Sequence, residues 1–252
     1  MKIQLIRNAT LVLQYADKKF LIDPFLSDKG AMPPFPNTPN QHLSNPTVSF
    51  TTSMEEILDV DAVIVTHLHP DHFDNKAKEL LPKEITVYAQ NKEDMEVIKG
   101  EGFQNVLSLE EDSVFEGITL SRTDGKHGAG EILKQTGQVC GIVFNHPKEK
   151  TLYVAGDTLF NEDVQDAIQT HQPEVIVVNA GAAQFLEGGP ITMTKEDVAK
   201  TSQEATSATI VVSHMEALNH CLLTRDELKQ YIEEKDLLNN ILIPNDGETL
   251  SF

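Results

Sequence analysis

An α/β fold is predicted by three observations. Short apolar runs alternate with helix-start signals along all 252 residues, no long linker interrupts them, and four apolar runs empty into polar residues. The chain therefore reads as one domain, residues 1–252, a length that a single domain can reach. Ile3 to Ile6, Thr10 to Gln14 and Phe20 to Ile22 read as strands, with the last two forming a hairpin through Ala16-Asp17-Lys18-Lys19. Capping signals mark helix starts. Ser53 stands three before Glu56, Thr194 three before Asp197 and Thr224 three before Glu227, while Asn161 precedes Val164 and Ile168. The stretch from Pro24 to Pro46 has Pro33, Pro34, Pro36 and Pro39 between its ends and little periodicity. A loop of that length inside a domain is more often functional than idle.

Composition narrows the function. With 40% hydrophobic and 23% charged residues the balance is globular, and the absence of Trp leaves most packing to aliphatic side chains. The net charge of −19 repels nucleic acid and anionic lipid, so neither is an expected partner; a small-molecule substrate is, and a homo-oligomer stays open. Cys140 and Cys221 form no CxxC pair and are expected to be reduced and buried, as in a cytoplasmic protein. No apolar run reaches membrane-spanning length, and the N-terminal apolar stretch is too short for a signal peptide. Asn8-Ala9-Thr10 matches a glycosylation acceptor by chance.

The four strand ends carry the chemistry. Ala62–Val65 runs into Thr66-His67, Leu152–Ala155 into Gly156-Asp157, Val175–Val178 into Asn179, and Ile210–Val212 into Ser213-His214. Largely parallel pairing would set these ends along one edge, where their polar residues would converge. In His67-Leu68-His69-Pro70-Asp71-His72, three imidazoles and a carboxylate fall within six residues. That donor mixture suits zinc, manganese or iron better than calcium or magnesium, which prefer all-oxygen shells. His127, in Gly125-Lys126-His127-Gly128, lies where glycines allow close backbone approach. Asp157 and His214 are ambiguous alone, and gain weight because they follow the first cluster.

These residues resemble the metallo-β-lactamase superfamily. The match comprises the HxHxDH motif at His67, His69, Asp71 and His72, later ligands at His127, Asp157 and His214, and the early Ile22-Asp23-Pro24. The resemblance covers about Ile6 to His220. It implies a four-layer αββα sandwich with a site for one or two divalent metals at one edge, zinc first, with manganese or iron as alternatives. It further implies that His67, His69 and His127 hold one ion and that Asp71, His72 and His214 hold the other, with Asp157 bridging. The expected nucleophile is a metal-bound hydroxide, which two cations bring toward neutral pKa. Asp71 would orient it or accept its proton, and Asp23 would brace a ligand from behind. The Asn8-Ala9-Thr10 opening, Ile22-Asp23-Pro24 and the His127 segment are similar to the small metal-dependent hydrolases grouped with ascorbate-6-phosphate lactonase.

The expected function is hydrolysis of a small-molecule ester, lactone or phosphoester. Glu216, Asn219 and His220 could face the site, with His220 protonating a leaving group; a local hydrogen-bonded turn is the plainer alternative. A di-iron redox protein of this fold is disfavoured, because His69 stands where those proteins typically have Glu. A nuclease is disfavoured by the charge. A non-catalytic metal-binding scaffold or sensor is the remaining reading. The Pro24–Pro46 loop is expected to be either a lid, with Phe25, Leu26 and Phe35 as its apolar surface, or an oligomer contact.

Overall fold

The computed structural model describes residues 1–237 and 240–252. Six strands open the chain: β1 (Lys2–Arg7), β2 (Thr10–Tyr15), β3 (Lys18–Ile22), β4 (Ala62–Val65), β5 (Thr86–Ala89) and β6 (Asn105–Ser108). Helices α1 (Met54–Leu58), α2 (Asn75–Leu80) and α3 (Lys92–Gly100) fall among the last three. Next come β7 (Ser113–Phe115), β8 (Ile118–Asp124), α4 (Leu133–Thr136), β9 (Cys140–Asn145), β10 (Leu152–Val154) and α5 (Glu162–His171). The chain finishes with β11 (Val175–Asn179), α6 (Lys195–Glu204), β12 (Thr209–Ser213), α7 (Arg225–Glu234), β13 (Ile241–Leu242) and β14 (Thr249–Ser251). Two seven-stranded sheets result, ordered β14-β1-β2-β3-β4-β5-β6 and β13-β12-β11-β10-β9-β8-β7.

Strand alternation assigns the layers. In β4, Ala62 and Ile64 enter the core between the sheets, while Val63 and Val65 pack outward on Ile57 of α1, Ala77 of α2 and Ile98 of α3. In β11, Val175 and Val177 face inward, and Ile176 and Val178 lie under Val164 of α5, Val198 of α6 and Leu228 of α7. This is the αββα sandwich. Full burial of each such aliphatic side chain contributes roughly 1.5–3 kcal/mol. A one-residue slip would exchange the faces of a whole strand, so the pattern fixes register strongly.

Pairing is parallel in six of the twelve neighbouring pairs, those running from β3 to β6 and from β10 to β13. The other six are antiparallel, so the sheets are mixed rather than largely parallel. For five of these the reason is local: β1 to β3 and β7 to β10 are joined without a full crossover helix, and such strands can fold directly back on one another; the sixth pairs β1 with β14 from the other end of the chain. The β2–β3 hairpin turns through Ala16 and Asp17 alone, both at positive φ (48° and 63°), so Lys18 and Lys19 already belong to β3. Ser53, Thr194 and Thr224 each form a complete capping box, and Asn161 caps α5 by accepting from Asp163 N–H.

The Pro24–Pro46 segment contains no helix, and its sole β-bridge among the described residues joins Met32 to Asn45. Phe25 and Leu26 are fully buried, with Leu26 in the core beneath α1 to α3, so neither forms the covering surface expected of a lid. Phe35 is only half-buried and faces the cavity described below. No helix among the described residues is long and apolar enough to cross a membrane. Asn8 is buried in the turn between β1 and β2, where no glycan could be attached.

Candidate metal centre

The edge where β4, β10, β11 and β12 end brings together all seven residues expected as ligands. His67, His69, Asp71 and His72 follow β4 of the first sheet; His127 follows β8, Asp157 follows β10 and His214 follows β12 of the second. Local backbone demands explain two neighbours. Gly156 has φ +69°, and a Cβ there would lie 2.5 Å from the Cys140 carbonyl oxygen, so only glycine lets the chain swing Asp157 inward. Gly128, φ +118°, likewise has no room for a Cβ against Ile132.

The donor atoms form two groups, each within 4.8 Å: His67, His69 and His127 in one, and Asp71, His72, Asp157 and His214 in the other. In the first group His67 Nε2 and His69 Nδ1 are 3.0 Å apart. In the second, Asp157 Oδ2 is 3.2 Å from His72 Nε2 and 3.5 Å from His214 Nε2. The same oxygen is 3.5 Å from His127 Nε2, so Asp157 reaches both groups. Its other oxygen accepts from Asn179 Nδ2 at 2.7 Å, and Asn179 Oδ1 in turn accepts from Ser213 Oγ at 2.6 Å.

Partners behind the rings set their orientation. His127 Nδ1 donates to the Ile191 carbonyl at 2.7 Å, which leaves the Nε2 lone pair pointing into the site. His72 Nδ1 lies 2.8 Å from Asp23 Oδ2, an oxygen that also accepts from Thr66 Oγ1 at 2.7 Å. Asp23 Oδ1 accepts from Thr66 N–H at 2.8 Å. Asn8 Nδ2 donates to the Asp71 carbonyl at 3.1 Å and reaches Asp71 Oδ2 at 3.5 Å. His214 Nδ1 faces Cys221 Sγ at 3.5 Å.

Electrostatics divide the cluster. Burial pushes the pKa of His67 well down and that of His127 down to about 4, which keeps both rings neutral. Burial also works against a charged His72, yet Asp157, Asp23 and Asp71 outweigh it and hold its pKa up at about 10. For Asp71 burial favours the neutral acid, but His72 and His214 win and keep the carboxyl ionised. His67 and His127 offer neutral imidazole lone pairs of the kind a divalent transition metal binds, while His72 and His214, whose pKa values the facing carboxylates hold up against burial, would release a proton on binding it. The residues therefore fit a metal site.

A cavity of about 260 Å³ opens onto His69, Asp71, His127 and Asp157. Phe35, Pro36, Phe185 and Ile191 supply apolar wall, and His220 completes it. The three residues expected to approach the site after His214 separate. His220 lines the cavity, edge-on to the Phe35 ring at 4.9 Å, with its buried Nδ1 unpartnered. Asn219 is buried outside the cavity lining and bonds the Pro-rich loop. Glu216 turns away to pair with Arg225. Cys140 is buried as expected, whereas Cys221 is only partly so; both thiols are free. Thr66 and Asn179 were expected at the converging strand ends but without a role as supports of Asp23 and Asp157, and the Ile191 carbonyl was not expected at all. A backbone carbonyl leaves no mark in sequence.

The Beta-lactamase superfamily domain matches residues 18–215. The chain is similar to UPF0173 protein YddR of Bacillus subtilis, 54% identical over 100% of both chains. It is also similar to a crystallised isothiocyanate hydrolase from Delia radicum gut bacteria, with 45% identity and a TM-score of 0.96 over 100% and 99% of the two chains. A structure from Veillonella parvula, titled a possible metal-dependent hydrolase, shares 35% identity with TM-score 0.98, again covering 100% and 99%. With the αββα layers and the paired donor groups in place, the chain belongs to the metallo-β-lactamase superfamily, as one of its metal-dependent hydrolases.

Proposed function

We propose that the chain hydrolyses a small, uncharged, largely apolar electrophile at a zinc-loaded centre. The cavity carries this reading: apolar walls enclose a floor of His69, Asp71, His127 and Asp157, and no Lys or Arg is among the described lining residues. Bound cations would offset Asp71 and Asp157, but the walls are apolar and carry no Lys or Arg to hold a phosphoester's remaining charge, so neutral esters, lactones and related heterocumulenes fit better. The solved relative named an isothiocyanate hydrolase supports the last class. An isothiocyanate, R–N=C=S, consumes one water to give R–NH₂ and COS. The water oxygen bonds to the central carbon, the C–N bond breaks, and both water protons end on nitrogen.

Zinc is the preferred ion for five imidazoles and two carboxylates, with manganese or iron as alternatives; one ion would sit on His67, His69 and His127, a second on Asp71, His72 and His214, with Asp157 between. Bound there, it supplies a water of lowered pKa and polarises the substrate. Asp71, braced by Asn8, orients the attacking water and accepts its proton at a carboxylate oxygen. His220 has its pKa pushed down to about 4 by burial, so near neutral pH it is an uncharged ring rather than a proton store. It acts as a hydrogen-bonding partner to the leaving nitrogen or oxygen, with the free Nδ1 supplying the unmet valence. The walls exclude bulk water from the reacting carbon.

The test is a substrate panel of an alkyl isothiocyanate, a carboxylic ester, a lactone and a phosphodiester, run on zinc-loaded protein of measured metal content. A neutral member should turn over, and Asp71→Asn should lower kcat by about a hundredfold or more with little change in thermal unfolding. Turnover of the phosphodiester alone, or full activity in Asp71→Asn, would reject the reading.

A further inference from the structure

Asn219 has no exposed surface and saturates its hydrogen-bonding capacity on one loop. Its Oδ1 accepts from Phe35 N–H at 3.1 Å and Asn45 Nδ2 at 2.9 Å. Its Nδ2 donates to Thr38 Oγ1 and the Pro39 carbonyl, both at 2.7 Å. Its backbone continues the pattern: the N–H donates to Asn45 Oδ1 at 2.8 Å, and the carbonyl accepts from Asn40 Nδ2 at 3.0 Å. The next residue, His220, holds the opposite wall, because its carbonyl accepts from Gln184 N–H at 3.2 Å. The two walls also touch directly, Leu186 N–H donating to the Asn37 carbonyl at 2.8 Å. One dipeptide thus carries both walls of the cavity, five residues beyond His214.

Resting on the hydrolase reading above, we infer that Asn219 is a specificity-determining positioning residue: it fixes Phe35, Pro36 and Thr38 against His220 and so sets the cavity's width. The loop closes on itself at the Met32–Asn45 bridge and through Thr38 and Gln41 onto the Phe35 carbonyl, and the buried amide of Asn219 ties these turns to one another from outside. Four side-chain bonds with complementary donors and acceptors specify asparagine. An aspartate of the same size could accept from Phe35 and Asn45, but could not donate to Thr38 or Pro39. The predicted consequence is in selection among substrates by size, since Asn219 touches none of the metal-facing donors.

The experiment compares wild type with Asn219→Asp on zinc-loaded protein, using alkyl isothiocyanates and alkyl esters of increasing chain length, together with hydrogen exchange of the peptides spanning residues 33–45. Loss of about one net hydrogen bond's worth of loop stabilisation should raise KM for the shortest substrates about tenfold while kcat stays within about twofold. Preference should move toward longer chains, exchange across 33–45 should quicken about tenfold, and zinc content should be unchanged. Should Asn219→Asp not fold, Thr38→Val removes one of the same bonds at nearly constant volume and is read identically, with smaller shifts. Unchanged chain-length preference, or a uniform loss of kcat at constant KM, overturns the assignment. If wild type hydrolyses no member of either series, the hydrolase reading fails by itself. Exchange then decides for Asn219, and unaltered protection of 33–45 overturns its role.

Discussion

Asp23 governs the site without facing the cavity. Held at φ +48°, it presents one oxygen to Thr66 N–H and the other to both Thr66 Oγ1 and His72 Nδ1, tying the end of β3 to the start of the histidine run. An asparagine there must either turn its amide toward His72 or give up Thr66. We therefore expect Asp23→Asn to weaken zinc binding about 10–100-fold with the fold intact, measured by competition against a chromogenic chelator. Unaltered affinity would show that Asp23 only fastens Thr66. At this scale legibility followed sequence distance. His67 to His72 were readable because the donors are contiguous, Asp157 and His214 because each ends an apolar run, and His127 from its flanking glycines and its order after the first cluster. The bond of Asn8 to Asp71 was not legible because it spans 63 residues, and Asn219, expected to face the site, binds instead a loop whose lack of periodicity hid that partnership.

Among the elements, the loop from Pro24 to Pro46 departs most from what its sequence announced. Its root is fastened by Arg7, fully buried, which donates to the Phe25 and Ser27 carbonyls at 2.9 Å each and lies 3.9 Å from the Phe50 ring centre. Phe25 is thereby drawn against the guanidinium, 4.9 Å from ring centre to Cζ, and the apolar surface left to the cavity is Phe35. Phe35→Ala should raise KM about three- to tenfold, as expected for lost apolar contact of roughly 1 kcal/mol, with no change in particle size on size-exclusion chromatography. A smaller particle with normal kinetics would instead make the loop an oligomer contact. The strands and capped helices were legible from period and caps, signals local to ten residues or fewer. The direction in which Phe25 and Leu26 turn was not, since it depends on an arginine from another strand.

At the scale of the molecule, the centre joins two bodies. Four of the seven donors come from the segment after β4 in one sheet, and three from strand ends of the other. Zinc bound to both groups would stabilise the closed sandwich over the unfolded chain by about 2.7 kcal/mol at a free concentration one hundred times its Kd. Chelation should accordingly lower the thermal midpoint, and restored zinc should raise it again, both visible by calorimetry. A midpoint indifferent to metal would mean that the donors are held apart by the fold alone. The αββα architecture was legible through the resemblance carried by the histidine motif, whereas the even mixture of parallel and antiparallel pairs was not, because it depends on how β1–β3 and β7–β10 turn back. The position of the centre has one more consequence. With both cysteines free, no disulfide ties the two sheets together. A loaded centre would be their cross-link, and it would open and close with the supply of metal rather than with the redox state of the surroundings.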